Sequence, residues 1–136
     1  MKRLLLDTHI FVWAKTADRP LKREIAAAIV DPYNEVMVSL ASAWELCIKA
    51  AIKKLTGDAS FLIGSQQQFE KVLSESNFRL LEIRAEHVFL TRHLPLHHRD
   101  PFDRLIVAQA MAERMTLVTV DRSLDAYAGL DLIVGA

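Results

Sequence analysis

The sequence predicts a three-layer α/β/α sandwich, in which a central parallel sheet of about five strands lies between two layers of helices.

 Two observations carry this prediction. Five apolar runs are continuous rather than alternating, which is typical of strands buried on both faces, and segments with helical periodicity separate them along the chain. The 136 residues fit a single domain, 1–136, which is long enough to bury roughly two-thirds of its unfolded surface.

The predicted strands are short and apolar, and the first and fourth of them end at an aspartate. They cover residues 2–6, 35–39, 78–83, 116–120 and 131–134. Asp7 ends the first strand and Asp121 ends the fourth. Because no run approaches the roughly 20 apolar residues of a membrane span, we expect no membrane segment. Asp7 and His9 also interrupt the amino-terminal apolar run before it reaches the length of a signal-peptide core, so the expected location is cytoplasmic.

The predicted helices follow from apolar spacing and from their boundary residues. Residues 8–17 form a short helix or turn, and residues 20–31 form a helix with Pro20 in its first turn. A helix over 41–55 precedes Gly57, and the single cysteine, Cys47, is expected to be a buried thiol within it. The remaining helical segments are 59–77, 84–94, 101–115 and 122–128.

Acidic residues stand at strand ends and helix starts, where sites form in open α/β sheets. Asp7, Glu45 and Asp121 are expected to converge on one edge of the sheet, and the helix that begins near Asp100 and Asp103 is expected to direct its start to the same edge. Capping is the competing interpretation: Asp7 and Asp121 suit helix N-caps, and Asp100 precedes a proline at the first helical position. Ser42-Ala43-Trp44-Glu45 also matches a capping box.

Several carboxylates brought close together repel one another unless a cation neutralises them. Mg²⁺ or Mn²⁺ is the expected ion, because both prefer oxygen ligands and commonly pair protein carboxylates with substrate phosphate. Such a metal activates water for attack on a phosphodiester. The sequence offers Lys49, Arg99 and Arg104 as phosphate contacts, with Thr8 and Ser42 as hydrogen-bond partners of the carboxylates or of bound water. The formal net charge of zero argues against a broad nucleic-acid-binding surface.

Four segments, in order and together spanning almost the entire chain, resemble PIN-domain proteins, and in particular the VapC-like ribonuclease toxins of type II toxin–antitoxin pairs. They are LLLDTHIFVW, VSLASAWELCIKAAIKKL, LPLHHRDPFDRLIVAQA and LVTVDRSLDAY. The resemblance implies the strand order 3-2-1-4-5 and an endoribonuclease that depends on Mg²⁺ or Mn²⁺. It assigns the acidic quartet to Asp7, Glu45, Asp103 and Asp121, as catalytic residues and metal ligands, and leaves Asp100 as a helix cap or an additional ligand.

The resemblance also implies partners. One is an RNA substrate, with transfer RNA as a family-level candidate, and another is a second copy of the chain. The third is a cognate antitoxin, and DNA is contacted only through this antitoxin. The polar segment 61–73 is where we would look for protein contacts. Two alternatives remain: a catalytically silent binding module with the same fold, and another aspartate-centred phosphoryl-transfer enzyme. The second is disfavoured because Asp7-Thr8-His9 lacks the second aspartate of a D-x-D pattern.

Overall fold

A computed structural model describes residues 1–16, 19–55, 57–96, 100–127 and 129–134. Its strands are β1 (Arg3–Leu6), β2 (Glu35–Ser39), β3 (Phe78–Leu81), β4 (Thr116–Thr119) and β5 (Asp131–Val134). Its α-helices are α1 (Thr8–Lys15), α2 (Arg23–Val30), α3 (Leu40–Ala51), α4 (Asp58–Phe61), α5 (Gln66–Glu75), α6 (Ala85–Leu90) and α7 (Pro101–Ala112). Two 3₁₀ helices cover Thr91–His93 and Arg122–Ala126.

The five strands form one parallel sheet in the order β3-β2-β1-β4-β5, which confirms the expected order. Leu6, the last residue of β1, lies opposite Val38 of β2 and Val118 of β4. The carboxyl ends of these three neighbouring strands therefore meet at one edge of the sheet. Asp7 follows directly after β1, and α3 follows β2 without an intervening loop.

The two faces of the sheet carry separate apolar cores, as a three-layer sandwich requires. Leu4 and Leu6 point to one face, where residues of α1, α2, α3 and α5 pack. Leu5 points to the other face, against the buried stretch of α7 from Leu105 to Ala110. Because successive side chains of β1 point to opposite faces and both faces are covered, Leu4, Leu5 and Leu6 are all apolar. The predicted α/β/α sandwich is confirmed.

Several helix boundaries differ from the sequence prediction. The segment predicted over 59–77 forms two helices, α4 and α5, and the helix predicted over 101–115 ends at Ala112. The helix predicted over 20–31 begins at Arg23, so that Pro20 lies outside it and Glu24 occupies its first turn. The helix predicted to reach residue 55 ends at Ala51. Lys53 adopts a left-handed conformation with φ 59°, and the amide of Lys54 bonds to the carbonyl of Lys49 at 2.8 Å. This is the geometry of a Schellman-type helix end, formed here without glycine.

The helix α3 buries polar as well as apolar side chains and exposes part of its apolar surface. Its buried residues include Ser42 and Glu45, whereas Trp44 and Ile48 are exposed. The prediction of a buried Cys47 thiol was wrong, because Cys47 lies on the exposed side. No helix among the described residues has the length and apolarity needed to cross a bilayer.

Candidate active site

Asp7 is the most buried acid of the predicted set, at 5% exposure. It is the N-cap of α1, and its Oδ1 accepts a hydrogen bond from the amide of Ile10 at 2.8 Å. Its Oδ2 accepts one from the hydroxyl of Thr119. Burial raises the pKa of Asp7 above its ordinary value, although the hydrogen bonds from Thr119 and Ile10 and the charge of His9 act in the opposite direction.

Thr119 connects Asp7 to the end of the neighbouring strand. The threonine is fully buried as the last residue of β4, and its hydroxyl accepts a hydrogen bond from the amide of Asp121 at 3.1 Å. Asp121 is the N-cap of the second 3₁₀ helix, where its Oδ1 accepts from the amide and the hydroxyl of Ser123 at 2.9 and 2.6 Å. The two strand-end aspartates are therefore linked through one buried hydroxyl.

Glu45 and Ser42 face α1 from the buried side of α3. The Thr8 hydroxyl lies 2.7 Å from Oε1 of Glu45 and 3.0 Å from the Ser42 hydroxyl. The capping-box interpretation of Ser42 and Glu45 was wrong, because Ser39 is the N-cap of α3 and accepts from the amide of Ala41. Ser42 and Glu45 are thus free of a capping role and are available to the site.

Lys49 supplies the positive charge beside Glu45. Its Nζ lies 3.0 Å from Oε2 of Glu45, one turn away on α3. The carboxylate side chain is only 8% exposed, whereas the lysine side chain is 37% exposed. The pair therefore joins a buried acid to a cation that reaches the surface.

Asp100 and Asp103 occupy the start of α7. Asp100 is its N-cap, accepting from the amides of Phe102 and Asp103 at 2.8 and 3.2 Å, and Pro101 follows as the first helical residue. The expected capping role of Asp100 is confirmed. Asp103 lies in the first turn and is half-buried. Its assignment as the third acid of the quartet stays a prediction, as do the ligand roles of the other acids.

Arg104, one of the two arginines predicted to contact phosphate, forms hydrogen bonds within the protein. Its guanidinium donates to the carbonyls of Thr91, Leu94 and Pro95 at 2.5, 3.2 and 3.0 Å, and so ties the segment after α6 to α7. A phosphate contact by Arg104 stays a prediction. Arg99, with His97 and His98, lies outside the described residues.

An aromatic pair joins the two helices that carry Glu45 and Asp103. The rings of Trp44 and Phe102 meet edge to face, with centroids 4.9 Å apart. Each aromatic residue immediately precedes one of the two acids in the sequence. The contact therefore fixes the start of α7 against α3 close to both carboxylates.

The donors at this edge suit a divalent metal ion. They are carboxylate and hydroxyl oxygens, the ligand type that Mg²⁺ and Mn²⁺ prefer. Asp7 is a carboxylate whose ionised form is disfavoured by burial, and a nearby cation would offset that cost. The residues present thus fit such an ion.

A different group of ligand atoms was not anticipated from the sequence. Among the described residues, Glu86, His87 and Glu113 bring one ligand atom each to within 4.8 Å of one another. Both ring nitrogens of His87 are engaged: Nδ1 accepts from the amide of Arg84 at 3.0 Å, and Nε2 lies 3.0 Å from Oε1 of Glu113. The imidazole therefore has no free lone pair to offer a metal in this arrangement.

Thr119 is the site residue that the sequence analysis missed. A signal for it exists, because it is a polar residue at the end of an apolar strand, two positions before a predicted site acid. Its hydroxyl was not considered because β-branched threonine is ordinary in strands.

Comparison with known proteins places the chain in a family. No curated protein matches it in sequence. The fold is similar to VapBC2 of Rickettsia felis, solved with a promoter DNA fragment (20% identity, TM-score 0.71, covering 98% of this chain and 99% of that one). It is also similar to VapBC-5 of Mycobacterium tuberculosis (19%, 0.61, 98% and 99%) and to FitAcB of Neisseria gonorrhoeae (22%, 0.59, 96% and 96%). The family model described as PIN domain matches residues 4–130, and the chain therefore belongs to the PIN domain family.

Proposed function

We propose that this protein is a metal-dependent endoribonuclease and the toxin of a toxin–antitoxin pair. The observation that carries the proposal is the set of acids at the carboxyl edge of the sheet: Asp7 and Asp121 at the ends of β1 and β4, and Glu45 on α3. Asp103, in the first turn of α7, is the proposed fourth member. Membership of the PIN domain family supports the nuclease assignment.

In the proposed reaction, water attacks the phosphorus atom of an RNA phosphodiester. A bond forms from phosphorus to the water oxygen, the bond to the leaving oxygen breaks, and protons pass from the water to a carboxylate and to the leaving oxygen. Asp7, Glu45, Asp103 and Asp121 would hold Mg²⁺ or Mn²⁺, with Asp100 as a further candidate. Such an ion, when bound, lowers the pKa of water and stabilises charge on the phosphate oxygens.

The other residues of the site have supporting tasks in this proposal. Thr8 orients Glu45 by donating a hydrogen bond to its carboxylate. The Ser42 hydroxyl lies within hydrogen-bond distance of the Thr8 hydroxyl and helps to hold it in place. Lys49 reaches the surface from Glu45 and is therefore the best-placed cation for a substrate phosphate. Arg99 and Arg104 are further candidates for phosphate contacts.

The partners proposed are an RNA substrate, for which transfer RNA is one candidate, and a cognate antitoxin. The similar structures of Rickettsia felis and Salmonella typhimurium are VapBC complexes bound to DNA, which supports an antitoxin partner. We propose that this antitoxin carries any DNA contact and that this chain does not bind DNA directly.

The exposed side of α3 supports a homodimer. Leu40, Trp44, Ile48 and Ile52 recur at every fourth position and are 39, 55, 38 and 56% exposed. Fully burying one such side chain contributes roughly 1.5–3 kcal/mol. Because these four side chains are about half exposed, covering them would contribute on the order of 4 kcal/mol to the free energy of association. A contact between copies across a two-fold axis covers this side on both chains at once.

Cleavage of RNA by the purified chain tests the proposed activity. We expect cleavage with Mg²⁺ or Mn²⁺, no cleavage with a chelator, and a loss of at least about 100-fold in Asp7→Asn, since a metal ligand and a charge are removed together. Glu75→Gln, an exposed acid on α5 paired with Lys71, is the matched control and should retain full activity.

Two outcomes would contradict the proposal. Equal cleavage by wild type and Asp7→Asn would show that the RNA is cut elsewhere or by a contaminant. Absence of both cleavage and any Mn²⁺-dependent change in melting temperature would favour the silent binding module.

A further inference from the structure

Gln109 is a polar residue within the buried stretch of α7 from Leu105 to Ala110. It lies in the middle of α7 between Ala108 and Ala110, and all three residues are at most 1% exposed. An unpaired amide at such a position would cost roughly 1–3 kcal/mol. The hydrogen bonds of Gln109 therefore indicate why a polar residue stands there.

The orientation of the Gln109 amide follows from its partners. Its Nε2 lies 3.2 Å from the carbonyl oxygen of Glu82, which only accepts, so the amide nitrogen must face that way. Its Oε1 then faces the Ser39 hydroxyl at 2.5 Å, and Ser39 must be the donor. The same Ser39 oxygen accepts from the amide of Ala41 at 2.9 Å, as the N-cap of α3.

The hydrogen bonds continue from Gln109 to the surface. Its Nε2 also lies 3.3 Å from Nδ1 of His87, which accepts from the amide of Arg84 and is therefore unprotonated. The proton of the neutral imidazole is then on Nε2, which donates to Glu113 at 3.0 Å. His87 is fully buried, whereas the Glu113 side chain is 27% exposed.

All donors in this series point the same way, from the first turn of α3 to the Glu113 carboxylate. The order is the Ala41 amide, the Ser39 hydroxyl, the Gln109 amide and the His87 ring. Hydrogen bonds aligned in this way polarise one another in a buried setting. We call this series of hydrogen bonds the polar relay.

The polar relay meets the acidic site at α3. Ser39 is the last residue of β2, and α3 starts at the next residue, so the cap determines where the helix begins. Ser42 and Glu45 follow three and six residues later on the buried side. Gln109 belongs to α7, the helix whose first turn holds Asp103. One buried amide thus ties the start of the Glu45 helix to the Asp103 helix.

We propose that Gln109 is a positioning residue of the acidic site, holding α3 in register with α7 through the Ser39 cap. The proposal rests on the proposed nuclease function, because its consequence is the placement of Glu45 relative to Asp103. Gln109 does not touch the substrate. Its effect on catalysis is through the helix that carries Glu45.

Gln109→Met tests the proposal, since methionine has a similar length and cannot form the hydrogen bonds. We expect kcat for RNA cleavage with Mn²⁺ to fall about 10-fold with KM within twofold, in the range seen when residues supporting metal ligands are replaced. Val107→Ala, at a fully buried site on the same helix, is the control for general destabilisation and should keep kcat below its melting temperature. Equal kcat in wild type and Gln109→Met, or an equal loss in Val107→Ala, would overturn the proposal.

A second variant and a structural readout keep the test independent of folding yield and of activity. Ser39→Ala should lower kcat similarly, and the double variant should be no worse than the poorer single variant, because both break one contact. Hydrogen exchange at the Ala41 amide should be faster in Gln109→Met than in Val107→Ala. If wild type does not cleave RNA, the proposed nuclease function fails, and hydrogen exchange at the Ala41 amide then tests the positioning role by itself. Exchange in Gln109→Met at the wild-type rate would overturn that role, and faster exchange would support it.

Discussion

Replacing Thr8 by valine removes one hydroxyl from the acidic site and leaves its shape unchanged. That hydroxyl lies 2.7 Å from a buried carboxylate oxygen of Glu45, and Thr8 itself is 4% exposed. Valine leaves Oε1 of Glu45 without this donor, while Lys49 remains at Oε2. We therefore expect Thr8→Val to destabilise the folded state and to disorient Glu45.

The magnitude follows from the type of hydrogen bond. A hydrogen bond to a charged group contributes roughly 1.5–3 kcal/mol, and about 2 kcal/mol is a reasonable middle value. An unfolding entropy of about 2.1 cal/mol/K per residue gives about 0.29 kcal/mol/K for 136 residues, so that the expected fall in Tm is about 7 °C.

Thermal unfolding at neutral pH without metal is the assay. Thr91→Val is the matched control, because the Thr91 hydroxyl donates to a carbonyl of its own helical segment on the exposed surface; its Tm should change little. In a Glu45→Met background, Thr8→Val should cost much less, since the carboxylate acceptor is gone and only the Ser42 hydroxyl remains as a partner. A loss in Thr8→Val no larger than in Thr91→Val, or a full loss that persists with Glu45→Met, would refute the reasoning.

Two further predictions concern Asp7 and the exposed side of α3. Because burial raises the pKa of Asp7, the folded protein holds this proton more tightly than the unfolded chain, and stability is lost as pH rises from the ordinary value of 3.8 through the folded pKa. Without metal, the Tm of Asp7→Asn minus the Tm of wild type should therefore increase as pH rises through this range and then level off. A Tm difference that stays constant or falls over the same range would contradict the desolvation argument. Ile48→Glu places a charge on the proposed dimer surface and should convert a dimer to a monomer in light scattering while the monomer stays folded, whereas an unchanged dimer would move the interface elsewhere.

The parts of the fold that were predictable from the sequence are those set by local pattern. Continuous apolar strands require cover on both faces, and the three central strands β1, β2 and β4 have it, whereas the edge strands β3 and β5 are partly exposed. Asp7, Asp100 and Asp121 cap helices as their neighbouring residues indicate, since capping depends on a few consecutive residues. Capping does not exclude the proposed site role at Asp7, because Oδ1 accepts from the helix amide of Ile10 while Oδ2 accepts from Thr119.

What escaped prediction depends on pairings distant in sequence. The spacing of Trp44, Cys47 and Ile48 correctly indicates a helix, but spacing alone does not say which side faces the core, and here the side that carries these three residues faces solvent. Thr119 contacts Asp7 across 112 positions of sequence, and Gln109 contacts Ser39 across 70. Such partners become visible only when the sheet and its helices are assembled.

The exposure of Cys47 gives the unmodified chain a single attachment point for a spectroscopic probe. It is the sole cysteine, it lies on the exposed side of α3, and it is two residues from Glu45. A nitroxide at its sulfur would be broadened by a paramagnetic ion such as Mn²⁺ bound nearby, and two labelled copies would report their separation. The wild-type thiol therefore allows ion binding to be followed without any substitution, and a label there that prevents self-association would itself place the contact on this side of α3.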